Sequence, residues 1–345
     1  MMGQFSADRK LGMEYNIKMG VGTDLIRFFA GTNENRALGD YRARSLKEFI
    51  EKHPEHDGWN LYPATQKLLN QGFLIELDDA NIFLEAHSWQ NRLYFSQLDV
   101  EEDLAYGTFD FFVLGFPYIR TYFERAVKAV YVKKDGKEDI GSGFVLEDHR
   151  FVTAFHCIEE KSDVEIDGWD KANAPLQNIW VPADKNIDLC VLEFQGDPFP
   201  GVSGFRLQEA RILDEVMTLG YPNIAGYEPV LAAERTQVAG RLQATVGAVV
   251  GQMNAYWQNQ SHWLLSTLIK SGSSGGPVVG IEGKVIGIIT HIPTDLTGEP
   301  LLGYGGAIPT AILEKLLQAC NHKSKYAQCA SWQDTEAGFK HVMRL

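Results

Sequence analysis

Two textures divide the chain. Residues 45–52, SLKEFIEK, place Leu46, Phe49 and Ile50 at the spacing of one helix face. Ser45 stands where a helix cap belongs, and Pro54, Asp57 and Gly58 end the run. A second short helix is predicted over 64–70. After Gly72 the order FLIEL, DDA, NIFLEA is apolar, turn-forming, apolar, which predicts a hairpin between 73–77 and 81–86. Helix followed by hairpin is also the order of a winged-helix unit. Residues 105–125 collect aromatics, among them Tyr106, Phe109, Phe111, Phe112, Phe116, Tyr118, Tyr122 and Phe123. They read as core or packing seam, with a partner surface as the alternative.

From about residue 126 the pattern shortens. AVKAVYV, GSGFVL, RFVTAF, DLCVLEF, VMTLGY, LSTLI, PVVGI and KVIGIIT are brief apolar or alternating runs broken by Gly, Pro, Asp and Asn. Short strands with turns between them predict an all-β barrel or sandwich. PTAILEKLLQAC returns to helical spacing, with Pro309 at its start and Ile312, Leu316 and Leu317 on one face. Residues 321–345 read as a polar tail, expected as a loosely held helix. The expected domains are therefore 1–125, mixed α/β and regulatory or partner-binding; 126–320, all-β; and the tail 321–345.

Composition adds limits. The chain has 345 residues, 45% hydrophobic and 22% charged, with net charge -13. Such acidity disfavours nucleic acid, which needs clustered Lys and Arg. Apolar runs fall short of the roughly 20 residues of a membrane helix, so no membrane partner is expected, and no secretory leader is read at the N-terminus. Four cysteines, Cys157, Cys190, Cys320 and Cys329, form neither a disulfide framework nor a C-x-x-C pair. That reading points to free thiols and a cytoplasmic location.

Three segments carry chemistry. In SGSSGGP, 271–277, Gly272 suits a tight turn before Ser274. The N–H groups of Gly272 and Ser274 could then face a developing oxyanion, while Gly275 and Gly276 admit close backbone approach. VTAFHC, 152–157, delivers His156 at a strand end, one hairpin after GSGFVL. NIDLCVLEF, 186–194, opens a strand with Asp188, a part-buried acid that wants a donor. His156 could supply it, which would set the ring tautomer for proton transfer from serine. Asp184 is the alternative acid.

The order His, Asp, Ser with these surroundings resembles the chymotrypsin/trypsin superfamily. Within it the chain is similar to the protease domain of the HtrA/Deg group, over about 126–320. GSGFVL and VTAFHC are similar to the strand pair leading to that group's histidine, and Asp188-Leu189 with Val191-Leu192 to its D-L-A-V-L strand. Residues 272–277 resemble its G-[ND]-S-G-G-P motif, with Ser273 replacing Asn or Asp. VIGIIT and GGAIPTAILEKLL resemble its pocket strand and closing segment. No PDZ-like segment is read after it, the cysteine partner of Cys157 on the GSGF strand is missing, and no family resemblance is read in residues 1–125.

The resemblance implies a double six-stranded β-barrel with a C-terminal helix, and a serine endopeptidase acting through Ser274, His156 and Asp188. It implies an oxyanion hole at Gly272 and Ser274, and no cofactor or metal. Leu268 and Ile269 would wall the pocket for the side chain before the scissile bond, with Lys270 and Ser271 at its rim. Ile289, Thr290 and His291 would complete it from the later strand. Trypsins carry an acid at the position of Leu268, and glutamate-selective relatives a histidine at that of Ile289. An apolar pocket for small or medium aliphatic side chains follows, unless His291 reaches in rather than simply ending its strand. The expected partners are a protein or peptide substrate and a regulatory protein on residues 1–125. A silent or self-cleaving scaffold is the contrasting function.

Overall fold

The computed structural model describes residues 20–30, 43–56, 58–77, 88–96, 101–134, 137–158, 163–184, 186–222, 230–232, 235–237, 242–255, 260–291, 303–322, 327–335 and 338–343. The chain divides into two compact units, Met1–Ile119 and Arg120–Leu345.

The first unit packs helices on a small sheet. Its elements are α1 (Val21–Ala30), β1 (Arg44–Ser45), α2 (Leu46–Lys52), α3 (Gly58–Asn70), β2 (Ile75–Leu77), α4 (Ser88–Asn91), β3 (Leu93–Phe95), α5 (Glu101–Tyr106) and α6 (Thr108–Leu114). Ser45 caps α2 as expected, its Oγ accepting the Glu48 N–H at 3.2 Å. Leu46 and Phe49 are fully buried. Helix α3 is longer than expected because Pro63 lies inside it and hides its first turns in the sequence. The helix ends at Asn70, and Gly72 follows with φ +74°. The Gly72 N–H donates to Leu69 O and the Phe73 N–H to Leu68 O, a pair of bonds that a left-handed glycine permits.

β2 pairs with β3 in the order β1-β3-β2. The expected second hairpin arm, 81–86, lies outside the described residues. Phe109 and Val113 join Leu25, Phe49, Leu68 and Tyr94 in one core, so these members of the aromatic stretch serve packing. Each such side chain contributes about 1.5–3 kcal/mol by burial.

The second unit holds two sheets. β4 (Val127–Lys134), β5 (Lys137–Val145), β6 (Phe151–Thr153), β7 (Asp163–Ile166), β8 (Leu176–Pro182) and β9 (Cys190–Phe194) belong to the first. The second is a closed six-stranded barrel of β10 (Glu215–Gly220), β13 (Gln243–Ala255), β14 (Gln260–Leu265), β15 (Pro277–Gly280), β16 (Val285–His291) and β17 (Gly305–Pro309). β11 (Val230–Ala232) and β12 (Arg235–Gln237) form a separate ribbon. Helix α7 (Thr310–His322) follows β17 and buries Leu313, Leu316, Ala319 and Cys320. Ile312 and Leu317 are only half-buried, a shift of the face by one position from the sequence reading.

Two strand expectations change. LSTLI ends its strand at Leu265, and the rest bends into the loop before Ser274. The tail is not helical: β18 (Ala327–Thr335) and β19 (Gly338–Met343) extend the first sheet to the order β19-β18-β8-β9-β6-β5-β4-β7. The edge of β8 offers unpaired backbone groups, and β18 satisfies them antiparallel.

Candidate active site

His156 sits in a short 3-10 turn, Phe155–Cys157, directly after β6. Strand β6 pairs with β9, which brings Asp188, just ahead of β9, beside it. Asp188 Oδ1 accepts the backbone N–H of His156 at 2.8 Å, and Oδ2 lies 2.6 Å from the ring Nδ1. Asp184, the alternative acid, instead accepts from Asn186 through its backbone N–H and side-chain amide. The Asp188 hydrogen bond, and then the Cys157 thiol, push the His156 imidazole up from its ordinary range to about 10. Its side chain is half exposed.

Ser274 lies on the turn between β14 and β15. Its Oγ donates to the Thr290 carbonyl at 3.0 Å. Among the described residues no hydrogen bond joins this hydroxyl to His156. The two residues are neighbours all the same: Cys157 Sγ is 3.7 Å from His156 Nε2 and 3.7 Å from the Ser274 carbonyl oxygen. A bulge between Ile289 and His291 accompanies the presentation of Thr290 O.

The turn before Ser274 is closed by the Ser273 N–H on Lys270 O, at 3.0 Å. Gly272 occupies its third position with φ +89°, where a side chain would be strained. The N–H groups of Gly272 and Ser274 have no acceptor among the described residues. Gly275, at φ +84°, lies so close to Ser142 O, Thr153 Oγ1 and Ala154 N that a Cβ would collide with them.

Ser142, within GSGFVL, is a residue that the sequence reading did not single out. Fully buried, it donates its Oγ to Gly272 O at 2.7 Å and accepts the Tyr221 N–H at 2.8 Å. Its own N–H donates to Ser274 O at 2.8 Å. Both ends of the Gly272–Ser274 segment are thus tied to one strand residue. Its place between two glycines beside the histidine strand is the signal that could have flagged it. Gly141 leaves the space that the free Cys157 thiol fills: a Cβ there would stand 2.5 Å from Cys157 Sγ.

The expected pocket residues separate. Leu268, Lys270 and Ile289 line a small open cleft with Thr218, Gly220, Gln243 and Ser273. Ile269 points into the barrel core and is 5% exposed. Thr290 is buried, Ser271 is exposed, and the side chain of His291 lies outside the described residues.

Residues 141–288, which hold Ser142, His156, Asp188 and Ser274, match the family described as trypsin-like peptidase domain. The chain contains a trypsin-like peptidase domain. This peptidase domain has the trypsin-like β-barrel fold, here a closed six-stranded barrel, a half-barrel and a C-terminal helix, preceded by a mixed α/β region.

Its sequence relatives include a "Probable periplasmic serine endoprotease DegP-like" of Chlamydia trachomatis, 28% identical over 187 residues. That match covers 51% of this chain and 33% of the relative. The "Serine protease Do-like HtrA" of Lactococcus lactis is 32% identical over 180 residues, covering 49% of this chain and 42% of the relative. The chain therefore spans less than half the length of these relatives. Among solved structures, the HtrA-type protease AlgW with tripeptide aligns with TM-score 0.46 and 20% identity, over 60% of this chain and 64% of that one. The peptidase domain is HtrA-like in its relatives.

One expectation is overturned. The Chlamydia trachomatis relative and three others are named periplasmic endoproteases, against the cytoplasmic location read from the cysteines. The physical reason is burial. Cys157, Cys190 and Cys320 are free thiols inside the fold, so the lack of a disulfide framework does not report the redox state outside it. Among the described residues no helix is long and apolar enough to cross a membrane.

Proposed function

We propose that the chain is a serine endopeptidase in which Ser274 attacks the peptide carbonyl, His156 takes its proton, and Asp188 orients and steadies the imidazole. The observation that carries this reading is the two-point hold of Asp188 on His156 beside the Ser274 turn. With Asp188 on Nδ1, the Nε2 nitrogen is left for the serine proton. The hydroxyl must first turn from Thr290 O toward that nitrogen. The N–H groups of Gly272 and Ser274 would bind the oxyanion, and water would then release the acyl group. No cofactor takes part in this scheme.

The proposed protease domain runs over 126–320, with residues 1–125 as a gate or partner-binding region. The proposed substrate is a protein or peptide with a small or medium apolar residue before the scissile bond. Leu268 and Ile289 favour it, since neither attracts a charge. The names of the relatives support a periplasmic or other extracytoplasmic location. A fluorophosphonate probe tests the chemistry: wild-type protein should label covalently and Ser274→Ala should not. The scaffold reading draws on the Ser274 hydroxyl being engaged with Thr290. It predicts no labelling of wild type, with or without substrate peptides, and that result would displace the peptidase reading. Deleting residues 1–125 should change the peptidase rate if they gate it.

A further inference from the structure

The chemistry proposed for Ser274 uses no group of the first unit, yet that unit gathers four side chains of metal-ligand type. Asp24 comes from the first turn of α1. His53 ends α2, its N–H donating to Phe49 O at 2.8 Å. Glu55 and His56 follow in a turn closed by the His56 N–H on His53 O, at 3.1 Å. One ligand-capable atom from each of the four lies within 4.8 Å of the other three.

Two of the spacings are already near those around a bound ion. His56 Nε2 is 3.1 Å from Asp24 Oδ2, and His53 Nδ1 is 3.4 Å from Glu55 Oε1. A tetrahedral Zn²⁺ with bonds of about 2.0–2.2 Å sets its ligands roughly 3.3–3.6 Å apart. Packing orients both rings independently of any ion. Phe49 stacks on His53 with centroids 4.6 Å apart and on His56 at 5.6 Å, with interplanar angles of 23° and 17°. Rings locked by a neighbour lose little freedom on binding.

A second observation concerns His56 itself. Its side chain is 2% exposed, and its Nδ1 is buried with no hydrogen-bond partner. Asp24 is thus the one side-chain hydrogen-bond partner of this buried ring among the described residues, and it meets the ring at Nε2, the nitrogen on the side of the cluster. Arg27 also approaches Asp24, but at Oδ1 and 3.6 Å, which leaves Oδ2 on the imidazole side. Two carboxylates balance a divalent charge, and two imidazoles disfavour Ca²⁺ and Mg²⁺, which prefer all-oxygen shells.

We infer that Asp24, His53, Glu55 and His56 form a Zn²⁺ site that ties α1 to the turn between α2 and α3. The sequence reading missed it because Asp24 lies far upstream, and His53, Glu55 and His56 alone do not make a set. The test uses the untagged full-length chain, stripped with chelator and titrated with Co²⁺. One equivalent should give a tetrahedral visible absorption band that Zn²⁺ displaces. The double substitution His53→Gln with Glu55→Gln alters the more exposed half of the site, so circular dichroism should show the fold kept. It should weaken Zn²⁺ by more than the roughly 10–100-fold caused by outer-shell losses. Cys157→Ser should leave the band unchanged. The inference is overturned if the wild-type chain binds neither ion, if the double variant binds Zn²⁺ as tightly as wild type, or if the cobalt band disappears with Cys157→Ser.

Discussion

Asp188 holds His156 at two points, the backbone N–H at 2.8 Å and the ring Nδ1 at 2.6 Å. One carboxylate therefore fixes both the position of the turn and the orientation of the imidazole. The same bond is the main cause of the raised His156 pKa, about 10. A raised histidine stabilises the fold fully below its unfolded value of 6.5, and that contribution is lost as pH rises through about 10. In the proposed mechanism catalysis has the opposite dependence, because His156 must be neutral to take the serine proton. In the free enzyme kcat/KM should climb with pH well beyond the ordinary imidazole range. Asp188→Asn should move that rise downward in pH and cut kcat by about 10⁴-fold. A pH–rate profile of both proteins, with the imidazole followed by NMR, checks the two effects together.

Ser142→Ala removes a buried hydroxyl that donates to Gly272 O and accepts from Tyr221 N–H. Each partner left unsatisfied costs about 1–3 kcal/mol, so the melting temperature should fall. A loosened Gly272 carbonyl also misplaces the turn by some fraction of an ångström, and kcat should drop by up to about 10²-fold with KM little changed. Equal losses in kcat and in folded fraction would reduce Ser142 to a stability role.

Gly275→Ala combines a positive φ with direct collision against Ser142 O and Ala154 N. It should destabilise the peptidase domain by more than about 1–2 kcal/mol and abolish probe labelling. Gly251, where a Cβ meets nothing within 4 Å, is the control. Gly251→Ala should melt within about 0.5 kcal/mol of wild type. Thermal and urea denaturation of the two variants decide the point.

Asp110 accepts the Gly22 N–H at 2.8 Å and the Thr23 hydroxyl at 2.6 Å, and so binds the start of α1 from α6. It is 5% exposed. Asp110→Ala strands the Gly22 N–H and should cost the first unit about 1–3 kcal/mol. Hydrogen exchange in α1 should accelerate, while exchange in β15 and β16 stays slow. Unchanged protection in α1 would show that its hydrophobic face alone holds it.

The sequence by itself determined the local features. Ser45 capped its helix, most of the short Val- and Ile-rich runs became strands, and the glycine before Ser274 took the positive φ its turn requires. These follow from residue type and spacing, which act over a few positions. Tertiary structure decided the rest. Ile269 turned inward because the barrel wall had a place for it, and β18 formed because β8 offered an open edge. Asp188 was singled out over Asp184 by the pairing of β6 with β9, which sets one acid under the imidazole and leaves the other to its own turn. Ser142 acquired its partners from residues far along the chain, as did His56 from Asp24. Such contacts depend on which faces and edges meet when the core closes, and no local pattern of residues encodes that meeting.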